Sequence, residues 1–299
     1  NLCNGITRLL MTNLSVNPNE NIIACFSGDA IIYFEEKNIK VFKLSRKNIF
    51  LNLISILKII KSENISTLHS HHRYFGFITM LISIFKNIKT KITVHSKVYG
   101  FKFFSYKNGE IIAVSNAVKI HLNSYFKIPL QNIRVEYPIF TKNSIYCKNE
   151  IDLSFLNDKI NLLFVGRFCE EKGFDILLQA FERVSKLNSN LRLIVCGEGE
   201  LQTLLDKYIQ KGLNIFHQKP IPDLSSFYKI ADVIILPSRV EPFSFVKLDA
   251  IHFQKKLIAT NVDGIPEGLN NYKLATLIPP NNEIALTDSI KRFLHEQTI

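Results

Sequence analysis

The chain has 299 residues, 46% hydrophobic and 21% charged, a composition typical of a globular protein with room for two domains. Its formal charge of +11 favours phosphate-bearing partners, but the lysines are scattered without interleaved aromatics, which argues against a nucleic-acid groove. The longest apolar run, YFGFITMLISIF at 74–85, is about half a membrane span.

The cysteines, at positions 3, 25, 147, 169 and 196, are odd in number and include no C-x-x-C pair. This pattern is typical of reduced thiols in a cytosol rather than of a disulfide framework. We therefore expect a cytoplasmic protein, and peripheral contact with the inner face of the cell membrane stays open.

Short β-branched runs alternate with longer helical patterns along the N-terminal half. Strands are predicted at 22–26, 31–34, 66–70, 91–96, 110–115 and 132–137, and helices at 48–61, 73–86 and 115–126. The strands are continuous apolar runs, as expected where both faces of a sheet are covered. The more polar segment at 141–158 interrupts the pattern and is interpreted as a linker.

The C-terminal half repeats the alternation. Strands are predicted at 160–166, 191–197, 232–238, 256–260 and 273–278, and helices at 173–187, 200–211, 223–230 and 242–253. This alternation predicts an α/β fold with two Rossmann-like parallel-sheet domains, over 1–145 and 146–299. Ligands of such sheets bind beyond the carboxyl ends of the strands, so a cleft faced by both domains is the expected site.

The stretch VGRFCEEKGFD, at 165–175, joins a predicted strand to a predicted helix. Arg167 and Lys172 place two cations at a strand's carboxyl end beside a helix N-terminus, which predicts an anion site. A diphosphate could use the arginine fork and the lysine point charge together. The alternative is that both are ordinary loop cations.

The stretch PSRVEPFSFVKLDAI, at 237–251, holds Glu241 and Asp249 in an apolar run that follows a predicted strand. Pro242 suits the first turn of a helix, which would place Glu241 near the N-cap. Both acids could then face one ligand. The alternative is a helix cap followed by a solvated helix residue.

Taken together, these motifs resemble the retaining family-four glycosyltransferases. PSRVEPFSFVKLDA resembles that family's P-S-x-x-E-P-F-G-L-x-x-x-E-A, DGIPEGL at 263–269 resembles its G-x-P-E, and VGRFCEEKG resembles its V-G-R-x-x-x-x-K-G. STLHSHHRYFG at 66–76 and ITVHS at 92–96 resemble N-terminal motifs of the family more loosely. The resemblance implies the GT-B fold, in which two Rossmann-like domains face a cleft.

The resemblance also implies roles for individual residues. Arg167 and Lys172 would hold the diphosphate of a nucleotide-sugar donor and stabilise it as it leaves. Glu241 would bind hydroxyls of the donor sugar, and Asp249 the ribose. The amides of the segment at 243–245 would lie over the phosphates and the sugar.

Two further roles fall in the N-terminal half. Gly5 would let its loop approach the diphosphate, and His95 would lie near the sugar or the acceptor hydroxyl, unless it is merely a hydrogen-bonded histidine at a strand end. His69, His71 and His72 suggest no metal site, because no further ligand cluster accompanies them. The chain has no D-x-D motif, so we expect no metal and no cofactor.

The sequence departs from the family pattern in places. Ser244 stands where the family usually has Gly, Asp249 is a methylene shorter than Glu, and YPIF at 137–140 replaces the usual N-G-x-D. We also expect the first strand and the closing helix of the fold to be absent. These departures leave a non-catalytic relic that binds nucleotide-sugar or glycan as an open alternative, beside a GT-B nucleotide-sugar epimerase.

The sequence therefore predicts a retaining, metal-independent glycosyltransferase. Its donor would be a nucleotide-sugar of a hexose or hexosamine, expected to be UDP-linked. Its acceptor would be a saccharide, free or lipid-linked, of a bacterial surface glycan such as lipopolysaccharide or capsule. The basic helical stretch at 45–62 could touch an anionic membrane, and the alternative is a helix packed on the N-terminal sheet.

Overall fold

The computed structural model describes residues 7, 9, 10, 14, 20–26, 28, 30–45, 48–102, 105, 106, 109–139 and 151–297. The chain divides into two compact units, residues 1–145 and 146–299. In both units the described strands pair in parallel, and helices follow most of them, which makes each unit an α/β structure.

The described part of the N-terminal unit contains two parallel sheets. Its elements are β1 (Ile22–Cys25), α1 (Ala30–Glu36), β2 (Lys40–Lys43), α2 (Ile49–Ser62), β3 (Thr67–Ser70), α3 (Arg73–Phe85), β4 (Lys89–Val94), β5 (Glu110–Ala113), α4 (Asn116–Phe126) and β6 (Ile133–Val135). Strands β1 and β2 pair with each other, and the second sheet has the order β3-β4-β5-β6. Side chains of local polar residues begin the helices: Ser115 Oγ accepts a 3.1 Å hydrogen bond from Val118 N–H at the start of α4.

The C-terminal unit is built on one six-stranded sheet. Its elements are β7 (Ile160–Val165), α5 (Phe174–Ser185), β8 (Leu191–Cys196), α6 (Gln202–Gln210), β9 (Ile215–Gln218), α7 (Ser225–Ile230), β10 (Val233–Leu236), α8 (Phe245–His252), β11 (Lys256–Thr260), β12 (Ala275–Ile278) and α9 (Glu283–Glu296). The strand order is β12-β11-β10-β7-β8-β9. This is the doubly wound Rossmann order. From β7 the chain adds strands first on one side, β8 and β9, and then on the other, β10 to β12, so the topological switch point lies between β7 and β10.

Two apolar layers cover the faces of this sheet. One contains four phenylalanines with at most 1% exposure, Phe164, Phe168, Phe174 and Phe181, together with residues of α5, α6 and α9. The rings of Phe168 and Phe174 stack with centroids 4.2 Å apart, which fixes the loop after β7 to the start of α5. The other layer packs α7 and α8 against the opposite face.

The structure corrects two local predictions. The segment at 31–34 belongs to a helix rather than a strand, because Ile31 and Phe34 are buried three residues apart while Ile32 is 63% exposed. Part of the predicted linker belongs to the C-terminal unit, where Leu153 and Leu156 are buried in its core. Strands β2 and β9 and helix α9 lacked a clear enough pattern to be predicted. Within the described ranges, no helix combines the length and the apolar character needed to cross a membrane.

Candidate active site

Lys172 and Glu241 form an ion pair beyond the carboxyl ends of two neighbouring strands. Lys172 follows β7 and Glu241 follows β10, and Lys172 Nζ lies 2.7 Å from Glu241 Oε2. The Glu241 side chain is 8% exposed and that of Lys172 is 23% exposed. Ser238 Oγ donates a 3.2 Å hydrogen bond to the same carboxylate oxygen. A sheltered carboxylate and a reachable cation thus lie at the switch point, where doubly wound sheets bind ligands.

The segment after β11 holds the backbone of Glu241. Asp263 Oδ2 accepts a 3.0 Å hydrogen bond from Glu241 N–H, and Gly264 N–H donates a 3.1 Å bond to the Glu241 carbonyl. That segment is in turn held by Lys247, whose Nζ donates to the carbonyls of Gly264 and Glu267 at 2.5 and 2.6 Å. The backbone that carries the Glu241 side chain is therefore fixed by a segment 22 residues further along the chain, which Lys247 holds in turn.

Lys247 itself is enclosed at the start of α8. It is 1% exposed, and its ammonium nitrogen lies 4.4 Å from the centre of the Phe243 ring. Burial lowers the pKa of Lys247 to about 8, and the charges of Glu267 and Glu241 oppose that shift. Lys247 therefore positions the segment after β11, because its ammonium group donates to backbone carbonyls there.

Two contacts hold the loop after β7 against the segment after β10. Gly173 has a φ of 66°, and a Cβ atom there would lie 2.0 Å from the Pro237 carbonyl oxygen. Only glycine allows this approach. Burial raises the pKa of Asp175 in α5, but two 2.7 Å hydrogen bonds from Arg239 and the charge of that guanidinium outweigh burial and hold the pKa below its ordinary value.

Arg167 lies on the same loop as Lys172 and points to solvent. Its Nη2 atom lies 3.0 Å from Glu171 Oε2, and the two side chains are 67% and 63% exposed. An exposed pair of this kind contributes little to stability, so the guanidinium can exchange Glu171 for another anion at small cost.

The structure corrects the prediction that Glu241 caps a helix. Helix α8 begins at Phe245, and Ser244 is its N-cap, with Oγ accepting a 3.2 Å hydrogen bond from Lys247 N–H. A capping oxygen must lie two or three residues before the amide that it accepts from, which suits Ser244, whereas the Glu241 carboxylate is bonded to Lys172. The serine at the family's glycine position therefore has a structural role.

Asp249 lies within α8, and its side chain is enclosed. The residue is 0% exposed, so the interpretation of Asp249 as a solvated helix residue is wrong. Any ligand contact by this carboxylate requires neighbouring groups to move aside.

A cavity of 660 Å³ opens next to the loop after β7. It is lined by Glu198, Gly199, Gln202, His217 and Lys219, which lie at the carboxyl ends of β8 and β9 and at the start of α6. The cavity adjoins the Arg167 loop, because Phe168 N–H donates a 3.0 Å hydrogen bond to the Glu198 carbonyl. A Cβ atom at Gly199 would lie 2.5 Å from the Phe168 carbonyl oxygen, so this wall of the cavity requires glycine.

His95 follows β4 in the N-terminal unit and belongs to a row of three imidazoles. Its Nε2 atom lies 3.0 Å from His71 Nδ1, and the His71 ring lies 4.2 Å from the His69 ring. Burial lowers the pKa of His95 to about 4 and that of His71 to about 2, with neighbouring histidines adding to both shifts. Both imidazoles are therefore neutral at pH 7, and one ring donates to the other.

Comparison with known proteins identifies the family. The model for glycosyl transferases group 1 matches residues 148–298, and that for glycosyltransferase family 4 matches residues 19–139. The chain is a family 4 glycosyltransferase.

Relatives of the glycosyltransferase are found among proteins and solved structures. A glycosyltransferase of Methanocaldococcus jannaschii is 27% identical over 81% of this chain and 69% of its own length. A lipopolysaccharide 1,2-N-acetylglucosaminetransferase of Salmonella typhimurium is 33% identical over 48% of this chain and 42% of its own length. The Anabaena HepE structure in complex with UDP-glucose shares the fold, with a TM-score of 0.84 at 15% identity, over 98% of this chain and 87% of HepE.

The glycosyltransferase brings some of the predicted site residues together. Lys172 contacts Glu241 directly, Arg167 shares the Lys172 loop, and the segment at 243–245 leads into α8. Gly5 lies outside the described residues. No group of three potential metal ligands occurs in the part of the chain that the structure describes.

Sequence reasoning missed Lys247 and Arg239. A lysine three residues after a helix cap, inside an apolar run, could have been recognised as inward-facing from helical spacing. Its carbonyl partners, 17 and 20 residues further along the chain, could not.

Proposed function

We propose that this family 4 glycosyltransferase moves a hexose or hexosamine from a UDP-sugar to a saccharide acceptor, with retention and without a metal ion. The observation that carries the proposal is the Lys172–Glu241 pair at the switch point of the C-terminal sheet. This site pairs a sheltered carboxylate with a cation that an anionic ligand can reach, which suits a donor that carries both a sugar and a diphosphate.

Donor binding would exchange the partners of this pair. The diphosphate would take the ammonium of Lys172 and the guanidinium of Arg167, releasing Glu241 and Glu171. The Glu241 carboxylate, still held by Ser238, could then accept hydrogen bonds from donor-sugar hydroxyls. The same exchange prepares the reaction, because both cations lie where negative charge grows on the leaving diphosphate.

In the transfer, the bond between the sugar C1 and the diphosphate oxygen breaks, and a bond from C1 to the acceptor oxygen forms. We propose attack from the face that the diphosphate leaves, which retains the anomeric configuration. The acceptor hydroxyl proton passes to the departing diphosphate. His95, neutral at pH 7, would hydrogen-bond the acceptor hydroxyl and would not carry a charge.

The nucleoside would occupy the C-terminal unit beside the diphosphate. The 660 Å³ cavity beyond β8 and β9 adjoins the Arg167 loop and is large enough for a nucleoside. Asp249 is proposed to bind the ribose, which requires its enclosure to open on donor binding. The UDP-glucose complex of HepE supports a uridine nucleotide.

The proposed acceptor is a saccharide, free or lipid-linked, of a bacterial surface glycan, supported by the similarity to the Salmonella lipopolysaccharide transferase. Contact with an anionic membrane is a further part of this proposal. Helix α2 exposes Phe50 and Leu51 at 72% and 53%, while Asn52 and Ile56 pack inward.

The test is release of UDP from UDP-glucose and UDP-N-acetylglucosamine, with and without saccharide acceptors, in buffer containing EDTA. We expect turnover in EDTA, loss of transfer by about 10²-fold or more in Glu241→Ala, and near-normal transfer in Glu296→Ala, a surface carboxylate control. Loss of transfer in EDTA would refute metal independence, and normal transfer by Glu241→Ala would refute the site.

Two alternatives predict different results when NMR of the donor sugar and UDP titration are added to the release assay. An epimerase would convert the donor sugar with no acceptor present. A non-catalytic relic would bind UDP without turning over any donor.

A further inference from the structure

The positive charge of the chain belongs almost entirely to the N-terminal unit. Residues 1–145 contain 19 lysines and arginines against 7 aspartates and glutamates, whereas residues 146–299 contain 18 against 19. An anionic donor cannot account for this excess, since the proposed donor site lies in the near-neutral unit. The net positive charge of the N-terminal unit can therefore attract a second anionic partner.

Residues 97–102, here called the aromatic loop, follow β4 and begin two residues after His95. Side chains outside the loop bond at least one backbone group in each of residues 98–101, where regular secondary structure is absent. The hydrogen bonds are His121 Nε2 to the Val98 carbonyl at 2.8 Å, Arg73 to the Tyr99 carbonyl at 2.8 Å, Gly100 N–H to Tyr125 Oη at 2.8 Å, and Ser105 Oγ to the Phe101 carbonyl at 2.9 Å. The loop is therefore preorganised by side chains.

The aromatic loop presents two large rings to solvent. Tyr99 is 64% exposed and Phe101 is 72% exposed. Phe101 has a φ of 50°, a left-handed conformation that is unfavourable for a bulky residue without local side-chain help. The Tyr99 ring packs edge-on against His121 and Tyr125, but most of its surface and most of the Phe101 ring stay in water, which points to a ligand.

Two cations accompany these rings. The Arg73 guanidinium lies 5.3 Å from the centre of the Phe101 ring, and Lys102 Nζ lies 4.2 Å from that of Tyr125. Within the described residues, no carboxylate forms an ion pair with Arg73 or Lys102. Arg73 bonds the loop through Nη1 alone, so its other N–H groups can donate to an anion.

The geometry points to an acceptor subsite on the aromatic loop, formed by Phe101, Tyr99, Arg73 and Lys102, for a saccharide that carries an acidic group. The exposed rings suit the C–H face of a pyranose, and the cations suit its carboxylate or phosphate. The assignment rests on the proposed function, since it concerns the acceptor of that transfer. A bilayer surface fits less well, because the loop fixes individual rings instead of offering a broad apolar face.

The test is equilibrium binding to the full chain, followed by saturation-transfer NMR. The probes are methyl glucoside, methyl glucuronide and methyl glucoside 6-phosphate, which differ only at C6. We expect the two acidic glycosides to bind about fivefold or more tighter than the neutral one, and 0.5 M salt to reduce that preference. Equal affinity for all three would overturn the acidic specificity.

Variants assign the binding to the loop. Phe101→Ala should weaken the binding of all three glycosides about tenfold. Lys102→Gln should reduce the acidic preference, because Lys102 Nζ lies over the Tyr125 ring of α4 and supplies one of the two cations of the subsite. Phe85→Ala and Lys58→Gln are matched controls: Phe85 is 82% exposed at the opposite end of α3 from Arg73. Equal losses in the controls would overturn the subsite. So would Phe101-dependent binding to anionic phosphatidylglycerol vesicles without binding of any glycoside.

UDP titration of the same wild-type sample separates this subsite from the proposed function. Binding of UDP without any glycoside would overturn the subsite and leave the donor site intact. Binding of the acidic glycoside without any nucleotide-sugar would support the subsite and refute the transferase proposal.

Discussion

The Lys172–Glu241 pair allows a quantitative prediction, because its two side chains differ in exposure. Lys172→Met leaves the Glu241 carboxylate, 8% exposed, with Ser238 as its remaining side-chain donor. Removing one partner of a fully buried pair costs about 3–5 kcal/mol, and the 23% exposure of Lys172 reduces this. We expect Lys172→Met to lower the free energy of unfolding by about 2 kcal/mol.

Glu241→Gln should cost less, about 1 kcal/mol, because the amide can still accept from Ser238 and the remaining lysine reaches solvent. In the double variant no carboxylate remains unpaired, so the two losses should not add. We expect a coupling free energy of about 1 kcal/mol from the double-mutant cycle.

The assay is urea unfolding followed by far-UV circular dichroism, since the chain has no tryptophan. Lys256 and Glu296 provide the matched control cycle, with the same 2.7 Å separation but a carboxylate that is 62% exposed. Its coupling should be about 0.5 kcal/mol or less. Equal coupling in the two cycles would refute the argument that sheltering makes the Lys172–Glu241 pair strong.

Three further predictions follow from the site and its surroundings. Glu171→Gln frees Arg167 for the donor diphosphate, so the KM for a nucleotide-sugar should fall about two- to fivefold in steady-state assays. Ser244→Ala should cost about 1 kcal/mol in urea unfolding and Ser244→Gly a few tenths, because Gly is a tolerated N-cap. Burial lowers the pKa of His71 to about 2 and of His95 to about 4, so the unfolded chain binds protons more tightly than the folded one. Stability should therefore fall as pH drops from about 6.5 towards 4, less steeply in His71→Phe, as measured by acid titration with circular dichroism.

Each of these predictions has a contradicting result. A raised KM in Glu171→Gln would mean that Glu171 helps to bind the donor. Equal costs for Ser244→Ala and Ser244→Gly would mean that Ser244 does not act as a cap. An acid transition that is unchanged in His71→Phe would mean that other groups drive acid unfolding.

The sequence was sufficient for the class of fold because the relevant signals are local. Continuous apolar runs such as that at 160–165 and helical spacing such as that at 174–185 reflect periodicities that each segment carries by itself. Strands β2 and β9 were missed because four residues of mixed polarity are too few to show a clear hydrophobic periodicity. The segment at 31–34 was misassigned because four consecutive apolar residues, about one helical turn, resemble a short strand.

For the site, the sequence alone determined the family resemblance and the chemical types, a cation pair after β7 and an acid after β10. Only the tertiary structure decided that Lys172 and Glu241 touch, since 69 residues separate them and their strands become neighbours only after the chain has crossed both faces of the sheet. The role of Lys247 and the side-chain bonds that fix the aromatic loop were decided in the same way. Such contacts depend on which strand ends and helix starts meet in space, and no local periodicity encodes that.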